Sequence, residues 1–133
     1  MAAKKPMEKG LKDLLDRAKN DRRVLAVILF GSAARRRAHQ GSDTDICLVL
    51  RRDSYAPLQL SRIKLEYMRD FNYDIEIFQQ LPLYIRRRVL KEGRVLYAAS
   101  TESLYEVAFA FIREFAHYEH IYREYLEEVN RGG

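Results

Sequence analysis

The chain has 133 residues, 47% of them hydrophobic and 32% charged, with a net charge of +5. That length suits one domain, no apolar run approaches the roughly 18–20 residues a bilayer span needs, and the single Cys47 excludes an internal disulfide. The positive balance points to an anionic partner, which could be nucleic acid, a nucleoside triphosphate or an acidic protein.

The first ten residues, MAAKKPMEKG, are basic with no apolar segment behind them, so they do not read as a secretory signal and a cytoplasmic location is expected. From Met7 onward, Leu11, Leu14, Leu15 and Ala18 recur at helical spacing, which predicts a helix over about residues 7–20, ended by Asn20-Asp21. Val24 to Phe30 is a run of β-branched and aliphatic residues, the mark of a buried strand.

The run stops at Gly31-Ser32. Glycine lets a backbone come close to a phosphate. The amides of Ser32, Ala33 and Ala34 would open a short helix over 33–37, whose N-terminus attracts anions. The Ser32 hydroxyl adds a donor. Arg35, Arg36 and Arg37 follow, and the fork of Arg35 suits triphosphate oxygens. His39 to Ser42 form a loop back to a second strand, with His39 expected in solvent.

Asp43 and Asp45 lead into that strand, Ile46 to Leu50. Residues two apart in a strand share a side, so both carboxylates aim at one place. Two like charges that close need a cation between them, and Mg²⁺ is held by one or two carboxylates with water and substrate phosphate completing its shell. The stretch thus reads as a phosphate cradle facing a metal clamp. Cys47, inside the strand, reads as a plain buried thiol.

Pro57 starts a helix whose apolar positions Leu58, Leu60, Ile63, Leu65, Tyr67 and Met68 are mostly spaced for burial, up to Arg69. Tyr73 to Phe78 alternates as a strand, with Asp74, Glu76 and Phe78 on one side. Leu81-Pro82 opens a helix to about Glu92, with Gly93 as its C-cap and Arg86-Arg87-Arg88 on a solvated face. Arg94 to Ala98 is a short extended piece.

The last helix is expected from about Thr101 to Asn130, capped by Ser100 or Thr101, with Glu102 in its first turn. Leu104, Ala108, Phe111, Phe115, Tyr118, Tyr122, Tyr125 and Val129 step by four and three, a seam made to pack on another helix. Packing on the first helix of the same chain competes with a homodimer or a partner-protein contact through this tyrosine-rich seam. His117 and His120 lie near Glu114 and Glu124, and charged helix surface accounts for them better than a metal site does.

Gly31-Ser32, ten residues, then Asp43-Thr44-Asp45 resembles the signature of the polymerase-β-type nucleotidyltransferase superfamily. The fuller string FGSAARRRAHQGSDTDICLVL is similar to the minimal nucleotidyltransferases of bacteria and archaea. Gly31, Ser32, Ala34, Arg35, Ser42, Asp43 and Asp45 match their pattern, while Arg36 stands where that family usually has glycine. LPLYIRRRVLKEGRVLY also resembles the family, extending the likeness from about residue 24 to residue 97.

The resemblance implies a polymerase-β-like α/β (α+β) fold, a small mixed sheet flanked by helices. Residues 1–100 would form the nucleotidyltransferase domain and 101–133 a C-terminal helix packed on it or on a partner, one domain overall. It implies catalytic and metal-binding Asp43 and Asp45, with a third carboxylate at Asp74, or at Glu76 as the alternative. Gly31, Ser32, Arg35 and Ser42 would bind nucleotide. The reaction would use ATP and Mg²⁺, with two ions, to attack the α-phosphate and release pyrophosphate.

Short stand-alone members resemble the antitoxin of a pair whose toxin is a HEPN-domain ribonuclease. That implies transfer of AMP onto a toxin tyrosine, with nucleic acid not required and no membrane involved. Two other readings stay open: a non-catalytic antitoxin acting by contact, and nucleotidyl transfer to a small molecule such as an aminoglycoside.

Overall fold

A computed structural model describes residues 9–31, 45–51 and 55–132. The chain falls into two compact units, Met1–Ser100 and Thr101–Gly133. The expected short helix over 33–37 and the loop from His39 to Ser42 lie outside the described residues.

The first unit is built on a four-stranded mixed sheet in the order β3-β2-β1-β4. The central strand β1 (Val24–Phe30) is buried over its first six residues, as its uninterrupted apolar run requires. β2 (Asp45–Leu50) runs antiparallel to it, and β4 (Arg94–Ala98) runs antiparallel along its other edge. β3 (Asp74–Ile77) lies parallel to β2. The third strand stops one residue short of the expected Phe78, because Phe78–Gln80 tightens into a 3-10 turn.

Helices α1 (Lys9–Lys19) and α2 (Pro57–Asp70) bring Leu14, Leu15, Ala18, Ile63 and Tyr67 into one apolar cluster. The strands contribute alternate residues to it, among them Val27, Leu29, Ile46, Leu48, Ile75 and Ile77. The pleat sends the intervening residues, including Asp45, Cys47, Asp74 and Glu76, to the other face. Cys47 is a free buried thiol, as expected.

A polar clasp joins the entry of β1 to α2. The Asp21 carboxylate accepts from the Arg23 guanidinium at 2.9 and 2.8 Å, from the Arg23 backbone at 3.0 Å and from the Tyr67 hydroxyl at 2.9 Å. Arg23 also reaches Glu66 at 3.0 Å. Burial pushes the Asp21 carboxyl up, yet the bonds from Arg23 and Tyr67 outweigh it and hold it below the usual carboxylate range. A second link runs from Arg17 on α1 to Asp70 at 2.7 Å, with the Arg17 guanidinium 4.8 Å over the Tyr67 ring.

One expectation is corrected by packing. On α2 only Ile63 and Tyr67 are buried, whereas Leu58, Leu65 and Met68 are 82%, 62% and 42% exposed. One face of a helix fits the core, and α2 carries apolar residues on both. Helix α3 (Leu83–Glu92) does end at Gly93, but Gly93 has φ −74°, extended rather than left-handed. Glycine is needed there for space, since a Cβ would run into the Val89 carbonyl oxygen and the Ile28 side chain.

The second unit is α4 (Thr101–Gly132), two residues longer than its apolar pattern predicts. Leu104, Phe111 and Phe115 are its buried side chains. Every residue from Ala116 to Gly132 is exposed. The seam rings run on as neighbours along it, Phe115 to Tyr118 at 6.2 Å and Tyr118 to Tyr122 at 6.1 Å between centroids. Among the described residues no helix is long and apolar enough to cross a membrane.

Candidate active site

One end of the sheet gathers the residues singled out above that the structure describes. β1 finishes at Phe30, which pairs with Asp45, the first residue of β2. Asp45 in turn pairs with Asp74, the first residue of β3. Paired residues in neighbouring strands point to the same side, with about 4.8 Å between strands. Asp45 and Asp74 therefore present adjacent carboxylates from the same end and face of the sheet.

Gly31 closes the row. Its φ of 82° lies in the left-handed region that side chains avoid. A Cβ built on it would collide with Asp45 Oδ2 and lie 3.2 Å from Asp45 Cγ. Gly31 is thus pressed against Asp45, the metal-ligand candidate at the head of β2, and the missing side chain is what makes room. Both requirements, a positive φ and a close approach, fall on the same residue.

Asp74 and Glu76, the two candidates for the third acid, sit differently. Asp74 is exposed at the strand end, in register with Asp45. Glu76 lies one pleat further in, opposite Cys47, and its Oε1 takes a 3.2 Å ion pair from Lys64 of α2. The register brings Asp74 to Asp45 and holds Glu76 back with a lysine. Lys64 had no part in the sequence argument, because nothing in a helical pattern tells which strand residue it will reach.

Asp43, Ser32, Arg35 and Ser42 lie outside the described residues, as does Arg36. Among the described residues no group of three His, Cys, Asp or Glu gathers to hold a metal. Asp45 and Asp74 are two hard oxygen donors side by side, a set suited to Mg²⁺ with further ligands from water, phosphate or a third acid. The unsubstituted backbone of Gly31 lies beside Asp45. On α4, His120 pairs with Glu124 at 3.1 Å on open helix surface, in keeping with the charged-surface reading of the two histidines.

Comparison with known proteins bears on the same segment. The family model "Polymerase beta, Nucleotidyltransferase" matches residues 12–102. A protein of Methanocaldococcus jannaschii, provisionally named a protein adenylyltransferase, is 35% identical over 81 residues. That match covers 60% of this chain and 61% of the relative, so the chain spans about three fifths of its length. Among solved structures, a chain of a toxin–antitoxin complex with AMP-PNP matches with a TM-score of 0.64 at 17% identity, covering 90% of this chain and 95% of that one. A chain from the complex of a tri-AMPylated Shewanella oneidensis HEPN toxin with its MNT antitoxin matches with a TM-score of 0.59 at 15% identity, covering 90% and 92%. At such identities these two establish a shared fold.

Proposed function

Because this chain belongs to the polymerase-β nucleotidyltransferase family, we propose that it is a Mg²⁺-dependent protein adenylyltransferase. It moves AMP from ATP onto a tyrosine of a partner protein, a HEPN-domain ribonuclease toxin, and so acts as an antitoxin. The observation that carries the reading is the row Gly31, Asp45, Asp74 across one end of the sheet. The name of the Methanocaldococcus relative and the complexes in which the fold recurs support the choice of acceptor.

The chemistry assigns each residue a task. Asp45 and Asp74, with Asp43, hold metal; Gly31, Ser32, Arg35 and Ser42 hold the triphosphate. Two Mg²⁺ ions held by these carboxylates would offset the negative charge of the transferring phosphate. The acceptor hydroxyl oxygen forms a bond to the α-phosphorus of ATP. The bond from that phosphorus to the oxygen bridging to the β-phosphorus breaks, and pyrophosphate leaves. The hydroxyl proton passes to the Asp74 carboxylate, the acid at the open end of β3. Gly31 keeps bulk away from Asp45, so that a phosphate can approach both.

The test uses the chain, ATP labelled in the α-phosphate, Mg²⁺ and the protein encoded beside it. Label on a tyrosine of that neighbour, lost with EDTA and in Asp45→Ala, is the expected result. Neutralisation of the neighbour with no label, unchanged in Asp45→Ala, overturns it in favour of inhibition by contact.

A further inference from the structure

Among the described residues, two of the open apolar faces match each other. On α2 the exposed side carries Leu58, Ser61, Leu65 and Met68, stepping by three and four. Their seven-residue repeat is that of a coiled-coil seam, with Leu58 and Leu65 at one core position and Ser61 and Met68 at the other. Ile63 and Tyr67, which enter the protein core, lie on the opposite side of the helix. Arg62, Glu66 and Arg69 border the apolar residues on this open face of the helix.

On α4 the exposed seam is Tyr118, Tyr122, Tyr125 and Val129, stepping by four and three. Both strips therefore repeat every 3.5 residues over about two heptads, the condition for two helices to lie side by side at a shallow angle.

The residues flanking the two seams differ in sign. Beside the α2 strip stand Arg62, Lys64 and Arg69, at the positions that set partner choice in helix pairs. Lys64 pairs with Glu76 and Arg69 with Asp70, so part of their charge is already met within the chain. Beside the α4 seam the same positions carry Glu114, Glu119 and Glu128, with Ile121 and Leu126 filling the others. Residues 101–132 hold seven glutamates against three arginines, although the whole chain is at +5. Two α4 helices paired together would set Glu against Glu along the seam. An α4 seam laid on α2 sets Glu against Arg and Lys and covers both apolar strips at once.

We propose that the occupant of the open α2 face is the α4 seam of a second copy of this chain. In this arrangement a twofold axis repeats the contact, each copy giving its α4 seam to the other's α2. The contact involves none of the residues assigned to nucleotide or metal, so it stands or falls apart from the catalytic reading.

The test is sedimentation equilibrium of the full chain and of three variants whose folding is checked by circular dichroism and melting temperature. One variant carries Arg62→Glu and Arg69→Glu, a second carries Glu119→Arg and Glu128→Arg, and a third carries all four. The expected result is a dimer for the parent chain. The first two variants should each weaken dimerisation roughly tenfold or more, and the third should recover it. A chain monomeric at every concentration overturns the proposal. So does a dimer abolished by the α4 changes and untouched by the α2 changes, which is α4 self-pairing. Failure of the four-fold variant to recover, with its fold intact, overturns the pairing as well. A monomer whose α4 seam binds only a different protein overturns it in favour of that partner.

Discussion

Gly31 lies so close to the Asp45 carboxylate that one added methyl group would overlap Oδ2. The first prediction follows from that contact. Gly31→Ala must push the Asp45 side chain away and also hold alanine at φ 82°. The backbone strain is about 1–2 kcal/mol, so the variant should stay folded. Displacing a metal-holding carboxylate by even an ångström is costly to catalysis. ATP-dependent labelling should fall by roughly a hundredfold or more while the melting curve shifts by only a few degrees. Full activity in Gly31→Ala would show that the approach of Gly31 to Asp45 does not matter to the chemistry.

The second prediction separates the two acids of β3. Asp74 is in register with Asp45, and Glu76 is tied to Lys64 at 3.2 Å. Asp74→Asn should abolish labelling to within background and leave stability nearly unchanged, as expected for an exposed carboxylate. Glu76→Gln removes one partly exposed ion pair, worth up to about 1 kcal/mol. It should keep most of the activity. The reverse pattern, activity lost in Glu76→Gln and kept in Asp74→Asn, would move the third acid one pleat along.

These two cases also mark how far the sequence alone reaches. The apolar run of β1 is legible because a strand buried on both faces needs no alternation. The place of Asp45 at the head of β2 is legible because an unbroken apolar run follows it. The choice between Asp74 and Glu76 is not, because both satisfy a strand's period of two and only the β2–β3 register and Lys64 distinguish them. The same limit explains α2, whose apolar residues look alike on paper until the sheet takes Ile63 and Tyr67 and leaves Leu58 and Leu65 outside. Gly93 illustrates a third kind of limit. Its place after α3 is readable, but its reason is the crowding by Val89 and Ile28, and Ile28 lies far away in the chain.

A third prediction concerns Cys47, at 0% exposure in β2. Burial pushes its thiol well above the ordinary range, with the charge of Glu76 adding to the effect. The thiolate is the reactive form. Cys47 should therefore resist Ellman's reagent in the native protein at neutral pH and react at once in urea. Rapid labelling under native conditions would mean that β2 opens far more readily than its central place in the sheet implies.

The last prediction is a pH dependence. Asp21 is held below the usual carboxylate range because its bonds to Arg23 and Tyr67 outweigh the burial that opposes ionisation. A carboxylate whose folded pKa is depressed binds its proton less readily folded than unfolded. Its stabilising contribution is thus complete above the unfolded pKa, about 4, and is lost as pH falls through the lower folded value. Asp21→Asn removes the charge that Arg23 and Tyr67 bond, and should cost about 1–3 kcal/mol at pH 7. The gap between parent and variant in urea unfolding should stay constant from pH 7 to about 5 and narrow below about 4. A gap unchanged down to the acid limit would mean that Asp21 serves through shape and neutral hydrogen bonds, and that its charge contributes nothing to the clasp between β1 and α2.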